Sequence, residues 1–129
     1  MLLRVHHLPL YTKNFEKNLK FLTETLGLKV VGTPSSEKEN FRYLKVGDDL
    51  ISLIDENQYF RHCEATFLVD NLEKTLDELK KKGVTFPEIT DIVDYQLKEG
   101  KIRYVFLKMK GEDKFNGGWI ELVERKCKI

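Results

Sequence analysis

The sequence predicts an α+β fold built as two βαβββ modules in tandem, together forming one domain over residues 1–129. Three observations lead there. The chain repeats itself internally, each half carries one helical stripe of apolar residues, and the remaining segments alternate or run apolar in lengths that suit strands. In the repeat, "HLPLYTKNFEKNL" at 7–19 lies over "EATFLVDNLEKTL" at 64–76 with a constant offset of 57 residues. Asn14, Glu16, Lys17 and Leu19 then meet identical residues at Asn71, Glu73, Lys74 and Leu76, and His7 meets Glu64. Further on, "FRYLKV" from Phe41 resembles "IRYVFLKM" from Ile102, and "LISLID" from Leu50 resembles "WIELVE" from Trp119.

Each module is expected to open with a strand, at 3–12 and at 64–69. In the second, Ala65, Phe67 and Val69 alternate with Glu64, Thr66 and Leu68, a period near two. A helix comes after the strand in each. Phe15, Leu19, Leu22 and Leu26 fall on one stripe, and Leu72, Leu76 and Leu79 repeat its first part. Asn14 and Asn71 are candidate N-caps, and Gly27 and Gly83 stand where left-handed C-terminal caps occur. Three extended segments come next: 28–31, 41–46 and 50–54 in the first module, then Val84 with 89–95, 102–109 and 119–123 in the second. "FNGG" at 115–118 supplies turn residues before the last of these. The modules are placed at 1–57 and 62–126, linked through residues 56–61. A half of about 60 residues buries a core poorly by itself, so the two should pack together.

Composition narrows the function. Twenty-two Lys and Arg nearly balance 21 Asp and Glu, which lacks the basic excess of a nucleic-acid binder. Lys80, Lys81 and Lys82 close a predicted helix, where cations complement the helix dipole. No stretch approaches the ~20 apolar residues of a membrane span, and residues 1–10 lack the apolar core of a signal peptide. A cytoplasmic location is expected. Cys63 and Cys127 form no CxxC pair and should stay reduced, Cys63 with its thiol toward the helix layer.

Strand alternation assigns faces. If Leu8 and Leu10 cover the first helix, His7, Pro9 and Tyr11 point away from it. By the same rule Glu64 and Thr66 point away in the second module, as do Trp119, Glu121 and Val123 on the last strand. Ser52 is the first-module counterpart of Glu121, so His7, Ser52, Glu64 and Glu121 occupy equivalent positions on the faces opposite the helices. Tyr11, Tyr43, Tyr104, Phe106 and Trp119 are candidates to line a pocket there, and Arg42 and Arg103 are candidate cations.

Two βαβββ modules, a helix of the "NFEKNLKFLTETLGL" kind, the "LGL" that ends it and the closing "WIELVE" together resemble the vicinal oxygen chelate superfamily. That superfamily includes glyoxalase I, methylmalonyl-CoA epimerase, extradiol dioxygenases and the fosfomycin and bleomycin resistance proteins. The resemblance implies mostly antiparallel sheets curved around a cleft. It also implies a divalent metal, Mn, Fe, Ni, Co or Zn, held by the first and last strands of both modules. Carried over by position, the ligands are His7, Glu64 and Glu121, with Ser52 where relatives carry Glu or Gln, and with His62 able to replace Glu64 after a register shift. Glu64 stands where relatives carry His, and "DKFNGGW" replaces the common "DPxGN".

Two functions remain open on these residues. One is a metal-dependent isomerase, epimerase or lyase acting on a small oxygen-chelating metabolite, with Glu121 or Glu64 moving the proton. The other is a metal-free small-molecule binding protein of the antibiotic-resistance type. Either would act on a small molecule, with a homodimer as the expected assembly and neither nucleic acid nor membrane as partner.

Overall fold

The repeat becomes two sheets of the same strand order in the computed structural model, which describes residues 2–109 and 118–129. The first module contributes β2 (Leu8–Thr12), helix α1 (Phe15–Lys20), β3 (Lys29–Gly32), β4 (Phe41–Val46) and β5 (Asp49–Asp55), in sheet order β2-β5-β4-β3. The second contributes β6 (Ala65–Val69), helix α2 (Leu72–Lys81), β7 (Val93–Leu97), β8 (Gly100–Lys108) and β9 (Trp119–Arg125), in order β6-β9-β8-β7. A short β1 (Leu2–Val5) adds to the second sheet beside β6. Within each module the first and last strands run parallel and the other pairs antiparallel. Pro9 faces Ser52 across the first parallel pair and Thr66 faces Glu121 across the second, so Pro9 and Thr66, 57 residues apart in sequence, hold equivalent places in space, as do Ser52 and Glu121.

The opening segment departs from expectation. Residues 3–12 are two strands in two different sheets, because the chain steps from one sheet to the other at His6 and His7. Thr66 of β6 makes the step. Its carbonyl accepts from the His6 N–H (3.0 Å), while its hydroxyl accepts from the His7 N–H (3.1 Å) and donates to the His7 carbonyl (2.5 Å). A side chain thus satisfies backbone groups that a strand ladder would otherwise take.

The first helix also changes character. After Lys20 it continues as a π-helical turn, Phe21–Thr25, with the Leu26 N–H bonded to the Phe21 carbonyl. The wider turn rotates the residues beyond it, and Leu26, expected on the inner stripe, is 56% exposed. Asn14 sits at the N-cap but its side chain accepts no capping bond, whereas Asn71 accepts from the Lys74 N–H. Gly27 and Gly83 adopt φ of 78° and 75°, the left-handed caps the sequence predicts. In the second module the strand at 89–95 is displaced to Val93–Leu97. Val84 lies in the turn after α2, and Ile89 makes only an isolated bridge to Leu107. Of the "FNGG" turn, residues 115–117 lie outside the described residues. No helix among the described residues is long and apolar enough to cross a membrane.

Three apolar clusters hold the fold. Phe15, Leu22, Leu44 and Leu53 pack α1 on its sheet, and Val69, Leu72, Val105, Leu107 and Leu122 pack α2 on its own. The third cluster joins the modules, with Tyr43 and Leu50 from the first meeting Leu97, Ile102 and Val123 from the second. Burial shared in this way is what two halves of this size need.

Candidate functional site

Opposite the helices, the two sheets enclose a cavity of about 600 Å³. Alternation decides its walls. On β4, Phe41 and Tyr43 face it while Arg42 and Leu44 face α1; on β8, Ile102, Tyr104 and Phe106 face it while Arg103, Val105 and Leu107 face α2. The rings form a continuous series, edge-to-face except for the tilted Tyr95–Tyr104 pair. Phe41 meets Tyr43 at 4.7 Å and Tyr95 at 6.3 Å, and the series runs on through Tyr104 and Phe106 to Trp119. Such contacts add about 0.5–1.5 kcal/mol per pair beyond burial, so they stiffen the wall.

At the floor lie His7 and Glu121. Thr66 pins the His7 backbone, and β9 brings Glu121 beside it, with His7 Nε2 3.5 Å from Glu121 Oε1. Behind His7, the His6 and His7 Nδ1 atoms are 2.6 Å apart, a contact that needs one proton between two neutral rings. Burial favours that neutrality. It lowers His6 to about 3, with Arg125 and Arg4 adding to the effect, and it holds His7 well below the usual imidazole range, with His6 assisting. Glu121 is only 13% exposed, and burial raises its carboxyl to about 8, so it keeps its proton at neutral pH. The floor is therefore a carboxylic acid facing a neutral imidazole.

Connector residues form the mouth. The Tyr11 hydroxyl accepts from the Cys63 N–H (2.6 Å) and donates to the Cys63 carbonyl (3.1 Å). This fixes the chain that carries Tyr59, Phe60 and Arg61 into the lining. Arg61 lays its guanidinium over Phe60 (4.4 Å), Trp119 (5.1 Å) and Phe106 (5.7 Å).

The structure brings together only part of the expected set. His7 and Glu121 meet in the cavity, but Glu64 is exposed and outside the lining, because β6 begins at Ala65 and Glu64 precedes the ladder that would orient it. His62 is exposed, stacked on Tyr11 at 4.1 Å, with Nε2 3.8 Å from Glu56. Ser52 is wholly buried with no partner for its hydroxyl among the described residues, and it does not reach the cavity. Cys63 is buried as expected but lines the cavity rather than the helix layer. Its Sγ donates to the Ala65 and Trp119 carbonyls, and burial raises the thiol far above its usual range. Arg42 and Arg103 both lie on helix faces, Arg42 over Phe15 and Arg103 in an ion network with Glu73, Asp94 and Glu124. Tyr11, Tyr43, Tyr104 and Phe106 line the cavity as the alternation predicts, and Trp119 lies under Arg61. Phe41, Tyr95, Tyr59, Phe60 and Arg61 were missed. The first two were legible as same-face neighbours, whereas the connector carries no periodic signal.

This donor set does not fit the four-sided chelate implied by the resemblance. Of the expected ligands only the His7 imidazole and the Glu121 carboxyl face the cavity, and no three His, Cys, Asp or Glu side chains among the described residues converge closely enough to hold an ion.

Fold and comparisons agree on the class. The model of the glyoxalase/bleomycin resistance protein/dioxygenase superfamily matches residues 4–59, and the fold across the chain is that of solved members of this superfamily, so the resemblance read from the sequence stands. A methylmalonyl-CoA epimerase from Streptomyces coelicolor, in complex with 2-nitronate-propionyl-CoA, is 19% identical with a TM-score of 0.68, covering 98% of this chain and 100% of that one. A hypothetical protein from Bacillus halodurans C-125 is also 19% identical with a TM-score of 0.68, covering 98% and 96%. A superfamily member from Vibrio splendidus 12B01 is 13% identical with a TM-score of 0.59, covering 97% and 100%. At these identities the likeness is one of fold. A search of curated proteins finds no match.

Proposed function

We propose that the protein binds a small organic molecule in the inter-sheet cleft without a resident metal, as a binding member of the glyoxalase fold. One observation carries this reading: the cavity is walled by aromatic rings, while two of the four positions that would supply metal donors give none to it, Ser52 being buried opposite Tyr43 without reaching the lining and Glu64 exposed outside it. Its volume of about 600 Å³ falls in the range of small-molecule sites, which are mostly apolar with a few placed polar groups. The test is thermal denaturation of metal-stripped protein against a panel of small aromatic compounds and against Mn, Fe, Ni, Co and Zn. A ligand of the native state raises the midpoint with concentration. Stabilisation by compounds and not by ions supports the reading; stoichiometric uptake of an ion that is lost in His7→Ala overturns it.

The His7–Glu121 pair favours a second reading, proton transfer on the bound molecule, of the isomerase or epimerase kind. A protonated carboxyl beside a neutral imidazole is a general acid and a general base in one contact. The epimerase among the structural neighbours supports it as a class. Glu121→Gln would abolish turnover and retain binding under this reading, and would change binding alone under the first.

The same reading includes a cytoplasmic homodimer. Free Cys63 and Cys127 support the compartment, and the exposed apolar side chains of Leu2, Leu3, Val5 and Leu8 support self-association. Light scattering across concentration tests the dimer.

A further inference from the structure

We infer that Arg61 is an anion subsite at the mouth of the cleft, so that the molecule bound is a flat aromatic ring bearing a carboxylate or a similar oxyanion. The inference deepens the binding reading and rests on it.

Arg61 differs from Arg42 and Arg103, the two arginines the sequence offers as cations. Arg103 is held by three carboxylates, and Arg42 donates to the Phe41 carbonyl at 2.6 Å. Arg61 has no carboxylate within 4.0 Å among the described residues, and its Nε is buried with no hydrogen-bond partner. It is half-buried on three rings, Phe60, Trp119 and Phe106, which desolvate the cation and repay part of that cost through their π faces. Rings do not satisfy N–H groups. A guanidinium lying over aromatic faces still has its in-plane donors to satisfy, and a fork of parallel N–H bonds matches a carboxylate.

The surroundings select the rest of the ligand. From Arg61 the cavity runs on between Phe106, Tyr104, Tyr95 and Phe41, which offers stacking surface to a flat body. Glu88 and Asp91 also touch the cavity, but both are exposed, where water screens them. The low-dielectric charge available to a ligand is therefore Arg61.

The experiment compares 2-naphthoate with its neutral counterpart 2-naphthalenemethanol by calorimetry, on wild type, Arg61→Gln and Arg61→Lys, at low and physiological salt. Naphthyl phosphate added as a third probe separates carboxylate from phosphate. Wild type is expected to prefer naphthoate by roughly tenfold, the equivalent of one charge-assisted hydrogen bond. Arg61→Gln should lose that preference, weakening naphthoate about tenfold more than the alcohol, and Arg61→Lys should keep part of it, having charge without the fork. Trp119, the one tryptophan of the chain, sits under the guanidinium, so its emission reports occupancy and the integrity of both variants. Equal binding of acid and alcohol by wild type, or undiminished naphthoate binding by Arg61→Gln, overturns the subsite and leaves the binding reading standing. Failure of wild type to bind any of the three overturns both.

Discussion

Glu121 and His7 face each other 3.5 Å apart at the seam between the modules, the carboxyl raised to about 8 and the imidazole held neutral. The proton on Glu121 is thus linked to folding. The unfolded chain releases it near 4.5 and the folded chain near 8, so between those values the folded state holds the extra proton and stability falls as pH rises. Urea denaturation of wild type and Glu121→Gln from pH 5 to about 9 should show the wild type losing ground by up to about 1.4 kcal/mol per pH unit. Carboxylates elsewhere cancel in the difference. A gap between the two proteins that does not change with pH would contradict the buried acid.

Tyr11→Phe tests the anchor of the mouth. Removing the hydroxyl leaves the Cys63 N–H and carbonyl without their partner. A loss of about 1 kcal/mol in stability is expected, together with faster hydrogen exchange confined to the connector. An unchanged exchange pattern would mean that the connector is held by other contacts.

Gly32 tests wall rigidity from the far side. A Cβ there would stand 2.8 Å from Tyr43 Cδ2 and 2.9 Å from its Cβ, too close for either to remain in place. Tyr43 is 2% exposed and lines the cavity, so the ring has little room to retreat. Gly32→Ala should cost about 1–3 kcal/mol by overpacking and weaken ligand binding as the ring shifts. Wild-type stability in this variant would show that β3 can move away instead.

The alternation of strands made much of this site readable in advance, because duplication supplied the register twice. Pro9 with Ser52 and Thr66 with Glu121 occupy matching pairs in space just as they match in sequence. What resisted reading depended on contacts between distant residues or on where a ladder begins. Glu64 is one residue short of β6, so the rule that orients Thr66 does not reach it. The break at His6 and His7 exists because of Thr66, 59 residues from His7. The π-helical turn rotated Leu26 outward although its spacing fits an α-helical stripe. Arg61 lies in a segment with no period, and only the packing of Phe106 and Trp119 beneath it shows its place.

Glu124 carries a further prediction. It is the repeat counterpart of Asp55, and both are buried acids at the ends of the last strands. Glu124 accepts from the Leu72 N–H at 2.9 Å, which caps α2 from β9, and it pairs with Lys126 at 2.6 Å and Arg103 at 3.3 Å. Burial alone would raise its carboxyl, but these partners bring it below the usual range. Glu124→Ala should destabilise by about 2 kcal/mol, and Glu124→Gln by less, since its amide oxygen still accepts from Leu72. Equal losses would assign the effect to charge and not to the cap.

The crossing at His6 and His7 also bears on how such a chain can be divided. β1 completes the sheet of the other half, so severing the connector would not yield two self-sufficient pieces: the leading fragment would carry off a strand its partner needs, and His7 would be parted from Thr66 and Glu121. The leading residues stitch one half to the other, and neither can be shed without opening the hollow between them.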